Sequence, residues 1–206
     1  MTENKVLADT ILSASTETAT IHAPLEAIDI ADWLRNLQDK KYPRCAPPDH
    51  KAAGYTTTDD GRRMSTNVEM IGTGLVIQHY VYEIAEKQHC HMVSLSDVLT
   101  PRGWTTVQVI WDLSVKDNGD GTLQYTNSVT SHPTTDFMAF NDKNGVTFEE
   151  AAATRQAASS DHNRRETPLF AASIERKAHA CVLTTSGPPP PPTDERPDEG
   201  NRRRRL

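Results

Sequence analysis

An alternation of apolar and polar residues with a period of two dominates the middle of the chain, from Gly54 to Thr130. In its clearest segment every second residue is apolar: Val107, Val109, Trp111, Leu113 and Val115. Short turn sequences, such as Asp-Asn-Gly-Asp-Gly at 117–121, separate successive segments. Alternation of this kind predicts β-strands, and short turns predict that neighbouring strands run antiparallel. We therefore expect an antiparallel meander.

The segment 75–83 contributes candidate catalytic residues. One face carries Leu75, Ile77, His79, Val81 and Glu83, and the other carries Val76, Gln78, Tyr80 and Tyr82. The first face is the more apolar, so we expect it to point inward. A carboxylate on an inward face has to be paired, protonated or bound to a metal, which makes Glu83 and His79 the predicted catalytic pair. The alternatives are a solvated strand end for Glu83 and a hydrogen-bonded core histidine for His79.

Helical patterns flank the meander. A short β-like run at 18–23 precedes apolar residues at helical spacing: Ile28, Ile30, Trp33, Leu34 and Leu37. The alanine-rich stretch from Thr147 to about Val182 predicts a long helix, which Pro168 kinks or divides. This order of elements predicts an α+β fold in which a curved antiparallel sheet wraps around a long C-terminal helix. The gap between sheet and helix is a common place for an apolar ligand.

Composition bounds the domain and its partners. We expect a flexible lead at 1–17, one folded domain at 18–183, and a disordered tail at 184–206 that contains five consecutive prolines and many charges. A net charge of -6 argues against nucleic acid and anionic membranes as partners. The three cysteines are far apart, which argues against a disulfide framework and favours a cytoplasmic protein.

The opening of the predicted domain resembles a known superfamily. Residues 21–28 (Ile-His-Ala-Pro-Leu-Glu-Ala-Ile), running into Trp33-Leu34, are similar to the start of START-like (SRPBCC, Bet v 1-type helix-grip) proteins. That group includes pollen allergens, lipid-transfer domains and aromatic polyketide cyclases. The resemblance covers about residues 18–182 and implies an internal cavity for a small hydrophobic molecule, aromatic or polyketide-like. It implies no single chemistry.

A narrower resemblance concerns the diacetylphloroglucinol and phloretin hydrolases, a zinc-dependent branch of this fold that cleaves a carbon–carbon bond beside a ketone. Its C-terminal His-x-x-x-Glu pair matches His162 and Glu166. The resemblance implies zinc as cofactor, with His50 and Glu83 as the earlier ligands. The alternative for His162 and Glu166 is a surface pair on the helix, and for His50 a surface loop histidine.

Aromatic residues complete the predicted site. We expect the ligand to contact Tyr80, Trp111, Tyr125, Phe137 and Phe140, whose alternative role is plain core packing. Three functions remain open at this point. The first is a cavity protein that binds, and cyclises or hydrolyses, a small hydrophobic molecule. The others are a carrier or sensor without catalysis and a zinc-dependent C–C hydrolase. A homodimer formed through the sheet edges is compatible with each.

Overall fold

The computed structural model describes residues 3–37 and 41–185, with side chains as far as residue 180. The predicted tail lies outside the described residues from position 186 onward. Seven strands are present in the described part of the chain: β1 (Ser13–Ile21), β2 (His50–Thr57), β3 (Arg63–Ile71), β4 (Gly74–Ala85), β5 (His89–Thr100), β6 (Gly103–Asp117) and β7 (Leu123–Pro133). They form one antiparallel sheet in the order β1-β7-β6-β5-β4-β3-β2. The predicted meander is confirmed, and β1 extends it beside β7.

Strand β1 begins earlier than the sequence analysis expects. It starts at Ser13, five residues before the predicted domain boundary at residue 18, and pairs along its whole length with β7. The two hydroxyl oxygens of Ser13 and Ser131 are 2.7 Å apart and both are buried. Residues 13–17 (Ser-Ala-Ser-Thr-Glu) are small or polar and give no apolar alternation, which is why pattern alone places them in the flexible lead. The backbone N–H of Leu7 also bonds the carbonyl of Pro133, so the segment before β1 is part of the fold.

Three α-helices occur within the described residues: α1 (Ile30–Arg35), α2 (Thr135–Lys143) and α3 (Phe148–Thr185). Helix α3 runs through Pro168 as one element, so the division considered from the sequence does not occur. Its apolar residues pack on the concave side of the curved sheet, where Phe170 contacts Trp33 and Trp111. This is the predicted helix-grip arrangement. Among the described helices, none combines the length and hydropathy needed to cross a membrane.

The inward face of β4 is opposite to the one predicted. Tyr80 and Tyr82 are buried, whereas His79 and Glu83 lie on the outer face with side chains 40% and 57% exposed. The strand pairing explains which face of β4 is inward, because residues opposite each other on paired strands lie on the same face of the sheet. Tyr82 is opposite Met92, and Met92 is opposite Trp111. The prediction that His79 and Glu83 face the interior is therefore wrong. Counting apolar residues on an isolated strand cannot replace the register of the sheet.

Candidate metal centre

Two imidazoles and two carboxylates converge between the sheet and α3. His50 opens β2, Glu69 lies near the end of β3, and His162 and Glu166 are one turn apart on α3. Oε2 of Glu166 lies 3.1 Å from Nε2 of His50 and 3.3 Å from Nε2 of His162. The Glu69 oxygens lie 3.7 Å from His50 Nε2 and 3.8 Å from His162 Nε2. All four side chains are buried, and we call them the buried cluster.

The spacing within the buried cluster fits a divalent cation. Ligand atoms about 2.1 Å from a tetrahedral zinc ion are about 3.4 Å from one another, and the separations above bracket this value. Nε2 of His162 is buried without a hydrogen-bond partner among the described residues. A cavity of about 20 Å³ adjoins Glu69, His162 and Glu166, enough for about one water molecule. The donor set, the orphaned nitrogen and the space all suit a zinc ion.

Outer contacts orient both histidines toward the centre of the cluster. Nδ1 of His162 lies 2.9 Å from the carboxylate of Asp49, which also pairs with Arg165. Nδ1 of His50 lies 3.1 Å from the backbone carbonyl of Tyr42, and the two rings stack with centroids 3.9 Å apart. When Nδ1–H donates to an oxygen, the lone pair on Nε2 is left for a metal, as is common for metal-binding histidines.

The two carboxylates are also held by neighbours. Oε1 of Glu166 accepts a 3.1 Å hydrogen bond from the amide of Asn127, whose own oxygen accepts one from the Trp111 indole at 2.8 Å. Oε1 of Glu69 accepts a hydrogen bond from the hydroxyl of Tyr42. Burial, together with the charge of Glu69, raises the pKa of Tyr42 well above its usual range, so the phenol stays a donor. Each carboxylate therefore keeps its second oxygen for the centre.

Strong electrostatic coupling marks the buried cluster. Burial opposes ionisation of Glu166, but the neighbouring His162 and His50 outweigh it and lower the pKa of Glu166 to about 2. Burial also opposes protonation of His162, yet Glu166, Glu69 and Asp49 raise its pKa to about 10. Without a metal, the cluster thus retains a proton on His162 that a bound cation would replace.

Cysteine chemistry does not compete for this site among the described side chains. Cys45 and Cys90 are free and buried. Burial raises the pKa of the Cys45 thiol to about 11 and that of the Cys90 thiol to about 12. Burial therefore disfavours the thiolate form of both cysteines near neutral pH.

A larger cavity lies next to the buried cluster. This chamber has a volume of about 380 Å³ and is bounded by α2, α3 and the ends of strands β3 to β6. Its lining is mainly apolar and includes Val98, Val107 and Val146. Ile71 and Arg155 line both this chamber and the small cavity at the cluster. Ile71 and Arg155 therefore form the boundary between the chamber and the small cavity at the cluster.

Comparison with solved structures identifies the fold. The Zhui aromatase/cyclase from Streptomyces sp. R1128 superposes with a TM-score of 0.56 at 13% sequence identity, over 84% of this chain and 98% of the other. The chain has the START-like helix-grip fold. The di-domain ARO/CYC BexL gives a TM-score of 0.48 at 15% identity, over 84% of this chain and 52% of the other. A START superfamily protein from Mycobacterium smegmatis gives 0.43 at 14% identity, over 82% and 98%. No protein-family model and no curated protein matches the chain.

Within this START-like fold, three of the four sequence-predicted metal ligands lie together: His50, His162 and Glu166. Glu83 is apart from them on the outer face of the sheet, where its carboxylate lies 3.7 Å from His91. Glu69 completes the cluster in its place and was not singled out from the sequence. On the outer face, His79 pairs with Asp97 at 3.4 Å.

The sequence did contain a signal for Glu69. The buried face of β3 is its polar one and consists of Ser65, Asn67, Glu69 and Ile71. Considered as an isolated strand, β3 favours the opposite face as its core side, because that face carries Met64, Val68 and Met70. The strongly apolar face of β6 identifies the inward side of the sheet, and the pairing of β6 with β5, β5 with β4 and β4 with β3 carries this assignment to β3. Glu69 is opposite Val76 and therefore lies on the inward face. Three polar residues in a row on an inward face predict a polar site.

The predicted aromatic residues fall into three groups. Tyr80 and Trp111 line the small cavity at the buried cluster, with ring centroids 5.2 Å apart. Phe137 and Phe140 line the chamber. Tyr125 is fully buried and lines neither space. Phe137 and Phe140 therefore border a space large enough for a small molecule, whereas Tyr80 and Trp111 border one the size of about one water molecule.

Proposed function

We propose that the protein is a zinc-dependent hydrolase that cleaves a carbon–carbon bond beside a ketone in a small apolar substrate. The observation that carries the proposal is the convergence of His50, Glu69, His162 and Glu166, in which the buried Nε2 of His162 has no hydrogen-bond partner among the described residues. Its bond specificity rests on the resemblance of the His162–Glu166 pair to the diacetylphloroglucinol and phloretin hydrolases. The apolar chamber beside the cluster supports a hydrophobic substrate.

In this proposal the four residues of the buried cluster hold the metal. A bound zinc ion polarises a carbonyl oxygen and lowers the pKa of water. Asp49 and Tyr42 act as positioning residues, because they fix the orientation of His162 and of Glu69. Helix α3, the indole of Trp111 and the ring of Tyr80 shield the reacting groups from bulk water, which strengthens every charge interaction in the site.

The reaction balances with water as the only co-substrate. Water adds to the ketone carbon, the bond from that carbon to the ring carbon breaks, and the acyl group leaves as a carboxylic acid. The ring carbon takes the proton that water releases.

Metal content tests the proposal. Untagged protein purified without chelator is analysed for zinc, alongside His162→Ala, Glu69→Gln and the control Glu83→Gln. We expect about one zinc per chain in the wild type and in Glu83→Gln, because Glu83 is exposed on the outer face. We expect loss of zinc in His162→Ala. Zinc-free wild-type protein, or equal zinc in His162→Ala, would overturn the proposal.

Turnover provides the second test and separates hydrolysis from simple binding. Diacetylphloroglucinol and phloretin are incubated with zinc-loaded protein, and the released carboxylic acid is measured. The chamber also favours a second candidate, a carrier or sensor without catalysis, because its apolar volume alone suffices for binding. Binding of these ketones without any acid release, in protein that holds zinc, would support the carrier.

A further inference from the structure

Arg155 is a half-buried cation that has no ion-pair partner among the described residues. It lies on α3 and lines both the chamber and the small cavity at the buried cluster. Its Nε is buried and has no hydrogen-bond partner, and no ion pair of its guanidinium occurs within the described part of the chain. A charge that is partly withdrawn from water is stabilised when it is paired. A guanidinium that borders a mainly apolar chamber and has a buried, unbonded Nε is therefore suited to bind an anion.

The nearest acid does not satisfy Arg155. The charge of Glu69 acts on Arg155 from a distance, against burial, which lowers the pKa of Arg155. Glu69 itself is engaged by the Tyr42 hydroxyl and faces both cluster histidines. An arginine side chain remains protonated in proteins, so its charge persists. If zinc occupies the cluster, as proposed above, its positive charge offsets the negative charge of Glu69. The attraction between Glu69 and Arg155 is then weaker.

We propose that Arg155 is an anion-binding subsite that pairs with an acidic oxygen, a carboxylate or a phenolate, on an apolar ring held in the chamber. Arg155 precedes His162 by seven residues, about two helical turns or roughly 10 Å along α3. The chamber contacts α3 at residues 151–158, before the cluster residues on the same helix, so a ring held there places its acidic group at the end nearer the cluster. The role of this orientation in catalysis rests on the proposed function, whereas the anion subsite itself does not.

The subsite gives the chamber a preference for anionic ligands over neutral ones, which apolar walls alone cannot provide. Walls of valine and phenylalanine discriminate weakly between rings of similar size, whereas a site with a buried charge rejects a ligand that leaves this charge unpaired. A neutral ring should therefore bind to the walls alone. The same ring with an acidic substituent should gain a charge-assisted hydrogen bond to the forked guanidinium.

Two matched fluorescent probes test the subsite. 1-Anilinonaphthalene-8-sulfonate carries an anion, and N-phenyl-1-naphthylamine has the same rings without it. Affinities are measured with metal-free protein in chelator for the wild type, Arg155→Gln, Arg155→Lys and the control Arg164→Gln, which alters an exposed arginine on α3. We expect Arg155→Gln to weaken the anionic probe about tenfold or more, with the neutral probe unchanged. Arg155→Lys should retain part of the affinity, and Arg164→Gln all of it.

Two results would overturn the subsite. If Arg155→Gln binds the anionic probe like the wild type, Arg155 does not bind the anion. If both probes weaken equally, Arg155 supports the shape of the chamber instead. Competition by 2-naphthoate at neutral pH identifies a carboxylate as an acceptable anion, whereas competition by 2-naphthol only above its own pKa identifies a phenolate. Because these measurements need no metal, a negative zinc analysis leaves them intact.

Discussion

Nδ1 of His162 lies 2.9 Å from Oδ2 of Asp49, and this contact directs the opposite nitrogen of the ring into the buried cluster. Asparagine in place of Asp49 keeps the shape but removes the charge that favours this orientation. We expect Asp49→Asn to lower zinc affinity about 10- to 100-fold, measured by competition with a chromophoric chelator. Asp60→Asn, which alters an exposed ion pair, is the control. Equal affinities in the two variants would show that Asp49 has no part in metal binding.

Tyr42 donates a hydrogen bond to Glu69 inside the protein. Tyr42→Phe removes the donor and leaves a buried carboxylate oxygen unsatisfied. We expect the free energy of unfolding of metal-free protein to fall by about 1–3 kcal/mol, measured by urea denaturation. Tyr55→Phe, at a tyrosine with 37% exposure, should change it little. An unchanged Tyr42→Phe protein would indicate that another donor serves Glu69.

The coupled pKa shifts predict how stability varies with pH in metal-free protein. The pKa of Glu166 is lowered from 4.5 to about 2, so its contribution is present above pH 4.5 and is lost as the pH falls through 2. The pKa of His162 is raised from 6.5 to about 10, so its contribution is present below pH 6.5 and is lost as the pH rises through 10. Both contributions are fully present between pH 4.5 and pH 6.5. Thermal unfolding of metal-free protein in the presence of chelator should therefore give the highest Tm in this pH range.

The variant His162→Ala tests that assignment. It should remove the alkaline loss of stability, while leaving the acid side governed by the remaining carboxylates. If the loss of stability at alkaline pH is equally large in His162→Ala and in wild-type protein, the raised pKa does not belong to His162.

Phe170 connects the aromatic core to the buried cluster. It is fully buried, with ring centroids 5.1 Å from Trp33, 5.8 Å from Trp111 and 5.7 Å from His50. Phe170→Ala should lower the free energy of unfolding by about 3–5 kcal/mol and weaken zinc binding by loosening His50. Leu169→Ala, at the adjacent residue with 39% exposure, should cost less than about 1 kcal/mol. Denaturation and zinc titration of both variants measure the difference.

Arg155 should destabilise the unliganded protein, because its Nε is buried without a hydrogen-bond partner and its charge has no ion pair within the described residues. We expect Arg155→Met to raise the free energy of unfolding by about 1 kcal/mol, which corresponds to about 2–4 °C in Tm for a chain of this size. Arg164→Met on the exposed side of α3 is the control. A lower Tm for Arg155→Met would indicate a structural role and would count against the anion subsite.

The sequence predicted the fold well, because the evidence for it is local. Period-two alternation and Gly-rich turns identify the strands of the meander, and the alanine-rich stretch identifies α3. The pair His162 and Glu166 could be placed on one helical face from their spacing alone. Glu69 could not be found in the same way, since its inward direction depends on the register of four strands. Arg155 was missed because a lone arginine in a helix gives no sign of lacking a partner.

Because α3 is one continuous helix, it fixes the spacing between Arg155 and the cluster residues His162 and Glu166. Arg155, His162 and Glu166 recur at intervals of seven and four residues, which keeps them on one side of the helix. A single inserted or deleted residue between Arg155 and His162 would rotate one relative to the other by about 100°. Relatives that share this chemistry should therefore vary in their loops and chamber walls, while the length of this helical interval stays constant.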